Sequence, residues 1–168
     1  MKLNKLIAIA TISLLSGGIS MAQKALNLED IVAGNVIQTK GIGSMTWLKD
    51  GERYSCLENN KQTGGTDIVA YRAKDNSREV IIPSSLLTDK STGKPIPVRS
   101  ISWSADNEKV LIYNNTRRVW RYDTRGDYWV LSLKDGTLRQ LGKGMPESSM
   151  MFAKFSPDGT RVAYVSNN

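Results

Sequence analysis

A chain of 168 residues with 23 Lys and Arg against 16 Asp and Glu, a net charge of +7 and no histidine excludes much chemistry at once. Without histidine there is no Ser-His-Asp or Cys-His catalysis and little scope for zinc. With Cys56 the only cysteine, there is no internal disulfide. The cations are dispersed, Arg117-Arg118 being the only adjacent pair, so no basic stripe tracks a phosphate backbone and nucleic-acid binding is not expected.

The chain opens with Lys2 and Lys5, an apolar run from Leu6 to Leu15, and Ser20-Met21-Ala22 with small residues at −3 and −1 of a cleavage site. That three-part pattern predicts a signal peptide over 1–22, and the apolar run is too short to span a bilayer. Its removal leaves a net charge of +5 and a mature chain starting near Gln23, in the periplasm or outside the cell; no membrane anchor is expected. Residues 23–40 read as a short helix and a linker. Asn27 can cap the helix, Glu29 and Asp30 suit its first turn, and Gly34 suits its end.

Residues 41–168 hold an internal repeat. The stretches 44–57, 100–113 and 152–165 align without gaps. Each has an aromatic residue (Trp47, Trp103, Phe155), then Asp-Gly or Asp-Asn, then a basic residue opening a second apolar run. Asp-Gly and Asp-Asn tolerate the positive φ of tight turns between strands, and the flanking residues fit a half-buried sheet. A second kind of strand follows each of the first two hairpins, at Asp67–Arg72 and at Asp127–Leu133. Four strands per repeat predict an all-β fold, a partial β-propeller of about two and a half four-stranded blades, with a β-sandwich as the alternative. The third repeat shows only its first hairpin before Asn168, so a truncated propeller is expected.

Other chemistry finds little support. Gly41-Ile42-Gly43-Ser44 leads into a strand where a nucleotide fingerprint needs a helix, and Thr92-Gly93-Lys94-Pro95 lacks the rest of a phosphate loop. Asp50, Asp106 and Asp158 sit at turn positions, where Asp serves the backbone. No metal and no cofactor are expected. Cys56, within an alternating apolar segment, is expected to be buried in a strand.

Several stretches together resemble the start of the bacterial dipeptidyl peptidase IV proteins, of the prolyl oligopeptidase class of serine peptidases. They are Leu28-Glu29-Asp30-Ile31 with Gly34, Met45-Thr46-Trp47-Leu48-Lys49-Asp50-Gly51, Trp120-Arg121-Tyr122, and Phe155-Ser156-Pro157-Asp158-Gly159 with Val162-Ala163-Tyr164-Val165 and Asn167-Asn168. The resemblance implies an eight-bladed propeller followed by an α/β-hydrolase domain that removes X-Pro or X-Ala dipeptides from peptide N-termini. The catalytic triad would lie beyond Asn168, so no catalytic residue is expected here. The partner implied is a peptide with a free N-terminus, and the full-length protein leaves room for a homodimer. The paired glutamates that hold a substrate amine find no match, since Glu58 and Glu147 each stand alone.

One site residue carries over. The arginine that reaches from the propeller to a substrate carbonyl aligns with Arg121, a task suited to a planar, always charged fork of donors. The competing reading pairs Arg121 with Asp123 or Asp127 on the blade surface, and Arg117 and Arg118 are expected to face solvent. The function expected is gating and substrate positioning for an exported serine dipeptidyl peptidase. A non-enzymatic exported propeller module binding a protein or peptide is the alternative.

Overall fold

A computed structural model describes residues 43–119 and 121–166, with Asn27, Leu28 and Val32 besides. The leader expected over 1–22 lies outside the described residues. Of the helix expected from Asn27 to Gly34, Leu28 and Val32 are helical. Residues 42–168 form one compact unit.

The first meander is β1 (Met45–Trp47), β2 (Arg53–Asn59), β3 (Thr66–Arg72) and β4 (Arg78–Ile82), paired in chain order and antiparallel throughout. A 3-10 turn, Ser84–Leu87, and a small hairpin of β5 (Thr88–Asp89) and β6 (Lys94–Pro95) follow. The second meander is β7 (Ser100–Trp103), β8 (Lys109–Val119), β9 (Tyr122–Ser132) and β10 (Leu138–Gln140). A third unit begins with the hairpin of β11 (Met150–Phe155) and β12 (Val162–Ser166). Two four-stranded blades and half of a third are thus present, as the repeat predicts; the β5–β6 insertion between blades is not foreseen by it.

The recurrent turns explain the period. Gly51, Asn107 and Gly159 have φ of 70°, 59° and 65°, the left-handed region that Gly and Asn tolerate. The preceding aspartates cap the turns. Asp50 Oδ1 accepts the N–H groups of Glu52 and Arg53 (2.9 and 3.0 Å), Asp106 Oδ1 that of Glu108 (2.9 Å), and Asp158 Oδ1 that of Thr160 (3.0 Å). The Ser156 hydroxyl and the Thr160 N–H hold the Asp158 carboxyl down at about 2. These aspartates are spent on the backbone, and among the described residues no group of three or more His, Cys, Asp and Glu could hold a metal.

Strand alternation builds the core. Val110 and Ile112 on β8 face the first blade, in a buried cluster with Ile68, Ile82, Leu87 and Leu131. Leu111, between them, faces the other way and packs with Tyr128, Met150 and Ala153. Each fully buried side chain contributes about 1.5–3 kcal/mol, so blade-on-blade stacking holds the unit together. The Trp103 indole N–H adds a bond across the blade interface to Ser55 Oγ (2.9 Å). Leu87, 1% exposed at the end of the 3-10 turn, plugs the gap between blades. Cys56 lies on β2 and is half-buried, less enclosed than its pattern suggests; burial and the Glu58 charge push its thiol up.

Candidate functional site: a projecting hairpin arm

β8 and β9 are each 11 residues long, about twice the ordinary strand. Their inner parts, Lys109–Asn114 against Asp127–Ser132, belong to the blade. Register shifts between Asn114 and Arg117 and between Arg117 and Arg118 then redirect the pair, with Asn115 at φ 43°. Among the described residues the outer parts pair only with one another, Arg117 with Arg125, Arg118 with Asp123 and Val119 with Tyr122. The described neighbours stop at the base: β7 reaches Tyr113, and β11 pairs in the ladder with β9 only at Met150 and Gly126. The result is a two-stranded arm projecting from blade two.

Arg121 sits at the tip of this arm and is exposed. It lines an open concavity of about 640 Å³ with Ser44, Arg99, Ser100, Tyr113, Arg118 and Tyr122. Among the described residues Arg121 forms no salt bridge. Arg118, exposed as expected, turns one guanidinium N–H toward the Arg121 carbonyl (3.3 Å). The exposed side chains of Arg118, Arg121 and Tyr122 around one hollow suit carbonyl or carboxylate oxygens of a ligand. Among the described residues lining the hollow none is a carboxylate, histidine or lysine that could activate Ser44 or Ser100.

Asp127 is not available to Arg121. It is 7% exposed; its Oδ2 accepts from Asn115 Nδ2 (2.7 Å) and its Oδ1 from the Ser148 N–H (2.8 Å). The side chain of Asp123 lies outside the described residues. Glu58 is equally occupied: Arg78 donates to it at 2.8 Å, and the Tyr71 hydroxyl donates to its other oxygen. The Arg78 and Tyr71 hydrogen bonds hold the Glu58 carboxyl below its usual range.

Blade one repeats the Asp127 arrangement without the arm. Asp67, 8% exposed, accepts the Ser84 N–H at 2.7 Å and Asn60 Nδ2 at 3.0 Å. Burial works against its charged form, yet those hydrogen bonds outweigh it and keep the carboxyl below its ordinary value. In both blades a buried aspartate on the third strand latches the segment that leaves the fourth strand. Sequence reading passes over both latches, because the partner N–H groups stand 17 and 21 residues away.

Comparison with known proteins places this geometry. A model of the family described as "Dipeptidyl peptidase IV (DPP IV) N-terminal region" matches residues 104–168, which include the arm and the third hairpin. Residues 104–168 are thus similar to the N-terminal region of that family. The dipeptidyl peptidase IV likeness extends over most of the chain. A probable dipeptidyl-aminopeptidase B of Aspergillus terreus is 26% identical over 91% of this chain and 17% of its own length. Dipeptidyl aminopeptidase B of Saccharomyces cerevisiae is 30% identical over 82% of this chain and 16% of its own. In fold, the chain matches the crystal structure of Porphyromonas gingivalis dipeptidyl peptidase 4 with a TM-score of 0.63 and 21% identity, over 87% of this chain and 20% of that one. The chain thus spans about a sixth of the length of these curated relatives, and its meanders share the fold of the matching part of the Porphyromonas gingivalis structure.

Proposed function

We propose that this chain is the opening propeller portion of an exported serine dipeptidyl peptidase that releases X-Pro and X-Ala dipeptides from peptides with a free N-terminus. In that role the chain gates access and positions substrate, while the nucleophile, base and acid belong to a hydrolase domain outside it. The observation that carries the reading is the exposed guanidinium of Arg121, offered at the tip of a built arm beside a cationic hollow in a sequence of dipeptidyl peptidase IV type. A peptide carbonyl accepting from Arg121 would be fixed by a charge-assisted hydrogen bond, worth about 1.5–3 kcal/mol. The leader pattern over 1–22 supports export to the periplasm or beyond.

The reading is tested by expressing the full-length coding sequence and assaying Ala-Pro and Gly-Pro chromogenic peptides, each with a free and with an acetylated N-terminus. Release of the dipeptide from the free forms only is the result expected. A full-length protein that cleaves neither sinks the peptidase reading.

A further inference from the structure

The Arg121 arm is a lever. The Tyr113 hydroxyl donates to the Arg125 carbonyl at its base, and one buried carboxylate ties that base to the chain entering the third blade. Asp127 and Arg121 are six residues apart, which at about 3.4 Å per residue in a strand puts the tip about 20 Å from the latch. Past Gly126 the arm has no third strand among the described residues, and an isolated two-stranded hairpin is marginal in water. A tilt of about 10° at the base of a 20 Å lever moves the tip by about 3–4 Å, and displacements of about 1 Å can cost a hundredfold in a positioned site.

What sets the tilt is visible. Asn115, where β8 leaves the blade register with φ 43°, is tied by its side-chain amide to Asp127 Oδ2. Ser148, φ 53°, gives its N–H to Asp127 Oδ1 and its hydroxyl to the Asn115 carbonyl (2.5 Å). One buried carboxylate therefore clamps both the departure point of the arm and the chain entering the third blade. We propose that Asp127 is a positioning residue for Arg121: it acts on substrate through the angle of the arm and touches no substrate itself. The proposal rests on the role given above to Arg121.

Blade one supplies the internal control, since Asp67 makes the same two kinds of hydrogen bond in a blade whose β2–β3 hairpin carries no arm. An Asn side chain presents one acceptor and one donor, so Asp127→Asn and Asp67→Asn each keep one of two bonds and lose the other. The experiment measures KM and kcat of the full-length protein on an Ala-Pro substrate, below the unfolding transition, for Asp127→Asn, Asp67→Asn, Arg121→Ala and the double variant Asp127→Asn/Arg121→Ala. Asp127→Asn is expected to raise KM roughly five- to thirtyfold with kcat changed less than threefold. Asp67→Asn, similarly destabilised, changes KM less than twofold. In the Arg121→Ala background Asp127→Asn adds less than twofold, because the two act on one contact. Equal KM effects of Asp127→Asn and Asp67→Asn, or full additivity with Arg121→Ala, overturn the proposal while leaving Arg121 in place. An Arg121→Ala enzyme with unchanged KM, or an inactive full-length protein, removes both readings together.

Discussion

Gly126 stands where the arm meets the blade, and it is there because nothing larger fits. A Cβ at this position would lie 2.4 Å from Tyr113 Cε2, 2.6 Å from the Asn114 carbonyl oxygen and 3.0 Å from Tyr113 Cζ. The carbonyl is backbone and cannot swing away, and the tyrosine is engaged twice. Its ring stacks on Tyr128 at 4.8 Å, and its hydroxyl donates to the Arg125 carbonyl at 2.8 Å. Gly126→Ala must therefore move the ladder or expel the ring. Overpacking costs about 1–3 kcal/mol, a lost aromatic pair about 0.5–1.5, and a lost hydrogen bond about 1. These overlap, and the expected net loss is about 2–4 kcal/mol, read as a shift in the denaturant midpoint at constant slope. Gly43→Ala, where nothing lies within 4 Å and φ is not positive, is the matched neutral control. A Gly126→Ala protein within 0.5 kcal/mol of the unaltered one would refute the packing described for the arm base.

Truncating Ile112, 0% exposed between the first two blades, to Ala costs about 2–5 kcal/mol, whereas exposed Val165→Ala stays within about 0.5; equilibrium unfolding separates the two. Trp103→Phe removes the indole bond to Ser55 and is expected to cost about 1–2 kcal/mol. A double-mutant cycle with Ser55→Ala should return a coupling near 1 kcal/mol, and zero coupling would contradict the interblade bond. For acid stability, the folded-state value of Asp158, about 2, lies below its ordinary 3.8. Its contribution is then complete above about pH 4 and is lost as pH falls toward 2. Asp50 and Asp106 are lowered as well, chiefly by side-chain bonds from Arg53 and Ser104. Stability should therefore decline between pH 4 and 2, and Asp158→Asn should flatten that decline; an unchanged pH profile would contradict the turn geometry.

How much of this could be read beforehand follows from the range of the interactions. The Asp-Gly and Asp-Asn turns depend on two or three consecutive residues, so Asp50, Asp106 and Asp158 announce the hairpins, and the alternation of Val110, Leu111 and Ile112 announces the two-sided burial of a blade. The arm is different. Asn115-Thr116-Arg117-Arg118 is polar and charged, without strand alternation, and it extends only because a register shift at Asn114 hands the pair on past the blade. The length of β9, from Tyr122 where the pattern suggests a start near Asp127, has the same cause. Arg121 came from family likeness, while its exposure and its neighbours Arg99 and Tyr113 came from tertiary structure. The turn that leads into the β5–β6 insertion escaped for a related reason: Leu87 is buried partly by Val110, Ile112 and Leu131 of the next blade.

The central claim, that Arg121 holds substrate for a dipeptidyl peptidase, is tested most directly by steady-state kinetics of the full-length protein and its Arg121→Ala variant on Ala-Pro-p-nitroanilide. Loss of a charge-assisted hydrogen bond worth about 1.5–3 kcal/mol predicts a fall in kcat/KM of roughly ten- to a hundredfold, carried mainly by KM. Equal kinetics for the two proteins, or no dipeptide released by either, would contradict it.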